Sequence, residues 1–123
     1  MSLQGTPFPL DSLILKGYNL NALVSHPVAT FFVRVSGDSM IGAGIYPDDV
    51  LIIDRAIEAR HNHVIVAVLN SEFVIKRLKM EEGKLFLVPE NPSYERLEIT
   101  QETDFQVWGV VTYAIHRITG GNP

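Results

Sequence analysis

Cysteine is absent from the 123-residue sequence. This absence excludes disulfides, thiolate nucleophiles and cysteine-based zinc sites, so any covalent catalysis must use an oxygen or amine nucleophile. Basic runs are absent as well, and 10 Lys and Arg against 14 Asp and Glu leave a formal net charge of −4. Because nonspecific nucleic-acid binding depends on cationic contacts to phosphate, direct DNA binding is not expected.

Long apolar segments are also missing. No stretch approaches the ~20 residues needed to span a bilayer, and the start, MSLQGTPFPL, lacks the basic and apolar regions of a secretory signal. The sequence therefore predicts a cytoplasmic protein without a membrane segment. Its 46% hydrophobic and 20% charged residues are typical of one globular domain.

Short runs rich in Val, Ile and Phe recur from residue 30 onward, separated by segments with turn chemistry. We predict seven strands from these runs: TFFVRV, DVLIIDR, HVIVAVLN, EFVIKRLK, KLFLVPE, RLEIT and FQVWGVVTYAIHRI. The segments NSE and EEG are predicted hairpin tips. The fold class that follows is a mainly β domain over residues 30–119.

Residues 1–29 lack this pattern and contain Pro7, Pro9 and Gly17. We interpret them as an irregular N-terminal arm with at most a short helix over residues 19–25, which Pro27 would end. Residues 1–3 are interpreted as an expression-vector remnant and are assigned no structural role.

The stretch Ser36-Gly37-Asp38-Ser39-Met40 follows the first predicted strand. One interpretation is an ordinary polar turn, which is what this composition usually forms. The other is a nucleophile: Gly37 permits a sharp turn, Ser39 offers a hydroxyl, and the backbone N–H groups of Ser39 and Met40 could stabilise an oxyanion. A serine nucleophile needs a base, and lysine is one known alternative to histidine.

Lys76 is the candidate base. Side chains alternate along a strand, so Lys76 shares a face with Val74 and Leu78, whereas Arg77 and Lys79 lie on the other face. Apolar surroundings disfavour the charged ammonium, and a neutral amine can accept a proton. The alternative is that Lys76 extends to water from a half-exposed strand.

Other polar residues are weaker candidates for a functional site. His61 and His63 are two positions apart and could share a strand face as metal ligands, but no third ligand is apparent, and a solvated turn is the competing interpretation. Asp38, Asp48 and Asp49 could suggest a carboxylate pair, although the last two follow a proline and are typical of a turn. Neither a metal nor a cofactor is predicted.

The ordered segments VSGDSM, DDVLIID, FVIKRL, LVPENPSY and VWGVV resemble the catalytic domain of LexA/UmuD-type serine–lysine peptidases, within them most closely the UmuD branch. The resemblance covers about residues 19–117. It implies a peptidase core of curled, packed sheets with Ser39 as nucleophile and Lys76 as general base. One departure is Asn62-His63, where the family usually has a Gly-Asp turn; asparagine tolerates the left-handed conformation that such a turn needs.

The resemblance also has implications for processing and partners. GTPFP matches the segment in which the UmuD branch cuts itself, which places the cleavage point at Gln4-Gly5, although the family has Ala or Cys where this chain has Gln4. The chain would then represent the processed form. The implied partners are a second copy in a homodimer, the RecA–single-stranded-DNA filament and a UmuC-type subunit of an error-prone DNA polymerase.

Two other functions stay open at this stage. One is a binding module that has completed its cleavage and now only dimerises and binds the polymerase. The other is the self-cleavage and dimerisation domain of a LexA-like or phage repressor whose DNA-binding domain has been removed.

Overall fold

A computed structural model describes the backbone of residues 2–9 and all atoms of residues 23–119. Eight strands make up most of this part of the chain: β1 Ser2–Pro9, β2 Thr30–Ser36, β3 Val50–Asp54, β4 Val64–Leu69, β5 Glu72–Glu81, β6 Lys84–Val88, β7 Leu97–Ile99 and β8 Phe105–Ile115. Single 3-10 turns are formed by Pro27–Ala29 and Ile41–Ala43. The prediction of a mainly β fold is confirmed, and each of the seven predicted runs forms a strand.

The strands form one antiparallel sheet in the order β1-β2-β3-β8-β4-β5-β6-β7. One additional pairing, between Ser2 of β1 and Val74 of β5, brings the first strand back against the middle of the sheet. The sheet therefore curls so that the end of β2 and the beginning of β5 lie on either side of β1. This closure places two distant parts of the sequence next to each other.

The N-terminal arm is more regular than the sequence predicted. Residues 2–9 form β1 along the edge of β2, from the pair Ser2–Ser36 to the pair Pro9–Phe31, with a shift of register between Gln4 and Phe8. The strand begins at Ser2, so Ser2 and Leu3, to which the sequence assigned no structural role, pair with Ser36 and Val35 of β2. Backbone pairing with an open strand edge explains the difference, because it needs no alternating side-chain pattern. Most of the short helix predicted over residues 19–25 lies outside the described residues.

Both faces of the sheet are buried, as expected when apolar side chains alternate between two packed layers. The first core cluster contains Val33, Val35, Met40, Ile45, Leu51, Ile53, Val66 and Ile75. The second contains Ile65, Ala67, Leu78, Leu87 and Val110. Met40 is fully buried in the first cluster, so the polar segment before it is held against the core.

Two tight hairpin turns flank β5. Asn70 and Ser71 connect β4 to β5 with φ values of 50° and 68°, and Glu82 and Gly83 connect β5 to β6 with φ values of 52° and 76°. Two-residue turns with both φ values positive match the right-handed twist of a hairpin and set its register. The predicted hairpin tips are confirmed. Asn62 also has a positive φ of 72°, so the left-handed turn expected there is present.

Candidate active site

Ser39 lies just beyond the end of β2, in the segment of residues 36–40, here called the serine turn. Gly37 has a φ of 82° and redirects the backbone as it leaves the strand. Such a conformation costs a side-chain-bearing residue about 1–2 kcal/mol, which explains the glycine. Ser39 itself has an exposed fraction of 0%. A buried hydroxyl needs a hydrogen-bond partner, and the nearby strand β5 supplies it.

That partner is Lys76. Its Nζ atom donates a hydrogen bond to the Oγ atom of Ser39 across 3.2 Å, although the two residues are 37 positions apart. Lys76 is half-buried and pairs with Ile65 of β4. Val74 and Leu78, its neighbours on the same face, pack in the second core cluster. The structure thus brings together the two side chains that the sequence singled out as nucleophile and base.

Two backbone donors lie at the same turn. Within the part of the chain that the structure describes, neither the N–H of Ser39 nor that of Met40 donates a hydrogen bond. The carbonyl groups of both residues are occupied: Ser39 accepts from Glu90 N–H, and Met40 accepts from Ala43 N–H. Backbone N–H groups beside a serine hydroxyl are of the kind that can stabilise a tetrahedral oxyanion.

Residues 89–94, here called the Glu90 loop, hold the serine turn from the other side. The N–H of Glu90 donates to the carbonyl of Ser39, and the side-chain amide of Asn91 donates to the carbonyl of Asp38 across 3.0 Å. A pocket of about 600 Å³ lies beside this loop, and Gly42, Glu90 and Tyr94 contribute to its lining. Sequence reasoning assigned no role to these residues, although the segment LVPENPSY, which contains the loop, was one of those that carried the family resemblance.

Tyr94 contacts both halves of the site. Its hydroxyl donates a hydrogen bond to the Asp38 carboxylate across 2.7 Å, and its ring centroid lies 5.4 Å from the Nζ atom of Lys76. The hydrogen bond to Asp38, together with the negative charge of that carboxylate, raises the pKa of Tyr94 above its ordinary value. The phenol therefore stays protonated, and keeps its bond to Asp38, into alkaline solution.

Arg77 takes the opposite direction from Lys76, as alternation predicted. Its guanidinium forms an ion pair with the Glu90 carboxylate through Nε and donates through Nη1 to the carbonyl of Asn62 across 2.6 Å. The two basic neighbours on β5 thus have separate partners. One contacts the serine, and the other contacts the loop that holds the serine turn.

Gln4 and Gly5, the predicted cleavage point, lie on β1. Gln4 pairs with Arg34 of β2, whereas Ser2 pairs with Ser36 and with Val74. Along β2, Gln4 is therefore farther from the serine turn than Ser2 is. In this register the predicted bond lies on β1, beside the strand that leads to Ser39, and is offset from the serine turn.

The weaker candidates have structural partners. The Nδ1 atoms of His61 and His63 accept the N–H groups of Met80 and Arg60, at 2.9 and 3.0 Å. Residues 23–119 contain no group of three or more His, Asp or Glu side chains placed to hold a metal ion. These contacts favour the turn interpretation of both histidines.

The aspartates also have structural roles. Asp38 accepts from Tyr94, Asp48 occupies a left-handed turn position with a φ of 70°, and Asp49 is buried and accepts the N–H of Tyr46 across 2.8 Å. Burial raises the pKa of Asp49, although the Tyr46 N–H and His116 oppose the shift. The charge of Asp48 adds to the upward shift in the pKa of Asp49, and the left-handed position of Asp48 favours the turn interpretation of this segment.

Comparison with known proteins agrees with this geometry. A family model described as Peptidase S24-like matches residues 5–112. Protein MucA of Salmonella typhimurium is 36% identical over 113 residues, which cover 90% of this chain and 77% of MucA. Protein ImpA of Escherichia coli is 36% identical over 115 residues, or 92% of this chain and 77% of ImpA. The LexA repressor of Pseudomonas chlororaphis is 33% identical over 114 residues, or 92% of this chain and 56% of the repressor.

Among the described residues there is no helix of the length and apolar character that crossing a membrane requires.

Proposed function

Because this chain belongs to the Peptidase S24-like family, we propose that it is a self-cleaving peptidase that uses Ser39 as nucleophile and Lys76 as general base. The observation that carries this proposal is the 3.2 Å contact between Lys76 Nζ and Ser39 Oγ. This distance is within the hydrogen-bond reach that a base needs to take a proton. The relatives of the UmuD/LexA type support self-cleavage as the reaction.

The proposed reaction begins with Lys76 in its neutral form. Its amine takes the hydroxyl proton as Ser39 Oγ attacks the carbonyl carbon of the scissile bond. The tetrahedral oxyanion accepts hydrogen bonds from the N–H groups of Ser39 and Met40. Lys76 then returns the proton to the leaving amine, the peptide C–N bond breaks, and an acyl-enzyme ester remains on Ser39. Water hydrolyses this ester and regenerates both side chains.

The substrate in this proposal is the N-terminal arm of the same or a second chain, cut at Gln4-Gly5. To reach Ser39, the arm must change its register on β2, since Ser2 is now closer to the serine turn than Gln4. Because β1 pairs with β2 through backbone hydrogen bonds, the arm can shift its register and still form an antiparallel pair with β2. The arm over residues 1–29 and the peptidase domain over residues 30–119 would then act as substrate and enzyme.

The wider role in this proposal is that of a UmuD-like protein of SOS mutagenesis in the cytoplasm. The RecA–DNA filament would promote cleavage, and the processed homodimer would bind a UmuC-type polymerase as an accessory subunit. A second candidate is the self-cleavage domain of a LexA-like repressor, which is favoured by the match of 92% of this chain to 56% of a repressor.

The test uses the wild-type chain as enzyme and, as substrate, the Ser39→Ala chain with an N-terminal extension that makes the fragments separable by intact mass. We expect a product that begins at or next to Gly5. Lys76→Ala enzyme is the control and should release no product. A fluorophosphonate probe should label Ser39 in the wild-type chain but not in Lys76→Ala.

Labelling without cleavage would support the reactivity of Ser39 with Lys76 as base, but would reject Gln4-Gly5 as the substrate bond. If neither labelling nor cleavage occurs, even with RecA filament added, the peptidase proposal is rejected and the binding-module function is favoured. To separate the two wider roles, purified UmuC-type polymerase subunit is tested for binding to the chain; failure to bind, with cleavage intact, favours the repressor domain.

A further inference from the structure

One ion pair connects the strand that carries the base to the loop that holds the nucleophile. Arg77 directly follows Lys76 on β5, and its guanidinium contacts the carboxylate of Glu90. The exposed fractions of the two side chains are 24% and 31%, so neither partner is fully solvated. Both Nε and Nη1 of Arg77 are used, since Nη1 also donates to the carbonyl of Asn62.

The backbone of Glu90 forms two hydrogen bonds with the serine turn and the residues after it. Its N–H donates to the carbonyl of Ser39, and its carbonyl accepts the N–H of Gly42, each across 2.8 Å. These bonds lie on either side of Met40, whose side chain is fixed in the first core cluster. The backbone of Ser39 is therefore held in place by its hydrogen bond with Glu90 and by the packing of Met40 in the core.

The contact between Glu90 and the 3-10 turn is close. A Cβ atom added to Gly42 would lie 2.5 Å from the carbonyl oxygen of Glu90, a separation that real Cβ atoms do not adopt. The two backbones thus approach without a side chain between them, and a displacement of Glu90 is transmitted directly to residues 39–42.

We propose that Arg77 and Glu90 are positioning residues for the Ser39–Lys76 pair. The pair fixes the Glu90 loop to β5, one residue from Lys76, and the loop in turn fixes Ser39. This inference rests on the proposed peptidase function. The Oγ–Nζ distance of 3.2 Å is at the long end of the range for proton transfer, so a small outward movement of the loop removes the base from reach.

An ion pair of this exposure contributes little to folding, about 0–1 kcal/mol. A purely stabilising role therefore predicts a small change in stability and no change in Ser39 reactivity. A positioning role predicts a small change in stability together with a large decrease in the rate at which Ser39 reacts. Misplacement of a reacting group by about 1 Å costs up to about 100-fold in rate even where the fold is retained.

The experiment measures the rate at which a fluorophosphonate probe labels Ser39 in the full chain, well below the unfolding temperature. The variants are Arg77→Met, Glu90→Gln and Arg77→Lys. We expect Arg77→Met and Glu90→Gln to slow labelling by about 10- to 100-fold. Arg77→Lys should restore little of the labelling rate, because one ammonium cannot contact both Glu90 and Asn62 in the fixed geometry of a guanidinium.

The matched control is Glu81→Gln, which removes the ion pair between Glu81 and Arg96 at the other end of β5. It lies on the same strand but not on the serine turn, so labelling should stay within about twofold of wild type, as for surface changes away from a site. In the cleavage assay the Arg77 and Glu90 variants should lower kcat and leave KM unchanged, since neither side chain is expected to contact the peptide.

A double variant tests whether the two residues act through each other. Arg77→Met with Glu90→Gln should label no more slowly than the slower single variant, because the second change removes nothing further. Folded single variants that label at the wild-type rate would overturn the inference while leaving the peptidase intact. A wild-type chain that cannot be labelled would instead overturn the proposed function, and this inference with it.

Discussion

The hydroxyl of Tyr94 donates to the carboxylate of Asp38 across 2.7 Å, and this bond ties the Glu90 loop to the serine turn. The same ring faces the Nζ atom of Lys76. Tyr94 therefore contacts the serine turn by its polar end and Lys76 by its aromatic face. Three of the contacts that hold the site, those of Glu90, Asn91 and Tyr94, come from six consecutive residues.

The Tyr94–Asp38 bond should be visible in the titration of the tyrosines. The hydrogen bond and the charge of Asp38 raise the pKa of Tyr94, so the bond contributes to stability below the ordinary tyrosine pKa and is lost as pH rises through the higher, folded-state value. Of the four tyrosines, Tyr94 should ionise late. Absorbance at 295 nm should show a high-pH phase that Tyr94→Phe removes.

Asp38→Asn is the control for this titration. It keeps an oxygen acceptor but removes the charge, so the late phase should move to lower pH without disappearing. Curves for wild type and Tyr94→Phe that superimpose after scaling to four and three tyrosines would contradict the assignment.

Gly42→Ala should reduce both stability and reactivity. The added Cβ would collide with the Glu90 carbonyl, and an overpacked contact of this kind costs about 1–3 kcal/mol. Urea denaturation measures the loss, and probe labelling of Ser39 should slow in parallel because the Glu90 backbone is displaced.

Gly44→Ala separates the effect of backbone strain from the effect of a collision with Glu90. Gly44 has a φ of 80° with no atom near the position of a Cβ, so this variant should lose about 1–2 kcal/mol from backbone strain alone. It should label at the wild-type rate. Equal slowing in both variants would show that general destabilisation, and not the contact with Glu90, limits Ser39.

Asp49→Asn should raise stability at neutral pH. Burial raises the pKa of Asp49, so the ionised carboxylate opposes folding above that pKa, and this cost disappears as the group is protonated at lower pH. Asparagine keeps an acceptor for the Tyr46 N–H without the charge. Thermal unfolding from pH 3 to 8 should show a gain for Asp49→Asn at neutral pH that vanishes in acid; a constant loss at every pH would contradict this.

Ser71→Gly should stabilise the hairpin between β4 and β5. Ser71 has a φ of 68°, where glycine carries no steric penalty, and an Asn-Gly pair is the favoured sequence of such a turn. The expected gain is about 0.5–1 kcal/mol in the free energy of unfolding from urea titration. Ser71→Ala should give no gain, because alanine keeps the Cβ that opposes this conformation.

Much of the sheet could be predicted because it depends on local patterns. The runs that became β2 to β8 are rich in β-branched residues and end at turn residues, and Asn62, Gly37 and Gly83 occupy the left-handed positions that their sequence context suggested. The alternation along β5 also separated Lys76 from Arg77 correctly. Periodicity alone suffices where one side chain in two is buried.

The rest could not be obtained in this way because it depends on contacts between distant segments. β1 has no alternating pattern and is held by the backbone edge of β2. The Glu90 loop has no regular structure, and its contacts to Ser39 and Gly42 are made by backbone atoms, which any residue type except proline could supply in full. Such backbone bonds leave no mark on the amino-acid sequence, so this part of the support of Ser39 could not be predicted, although Ser39 and Lys76 themselves were singled out.

Adjacent positions on β5 present chemically opposite groups, an amine that can lose its proton and a guanidinium that cannot. A slip of β5 by one residue exchanges the faces of all its side chains, and in one of the two directions it would put Arg77, in place of Lys76, opposite Ser39. Such a chain could fold into a similar sheet yet would contain no proton acceptor for the serine. The two hairpin turns that set this register therefore decide which basic side chain faces Ser39, and under the proposed mechanism only the register with Lys76 at that position allows cleavage.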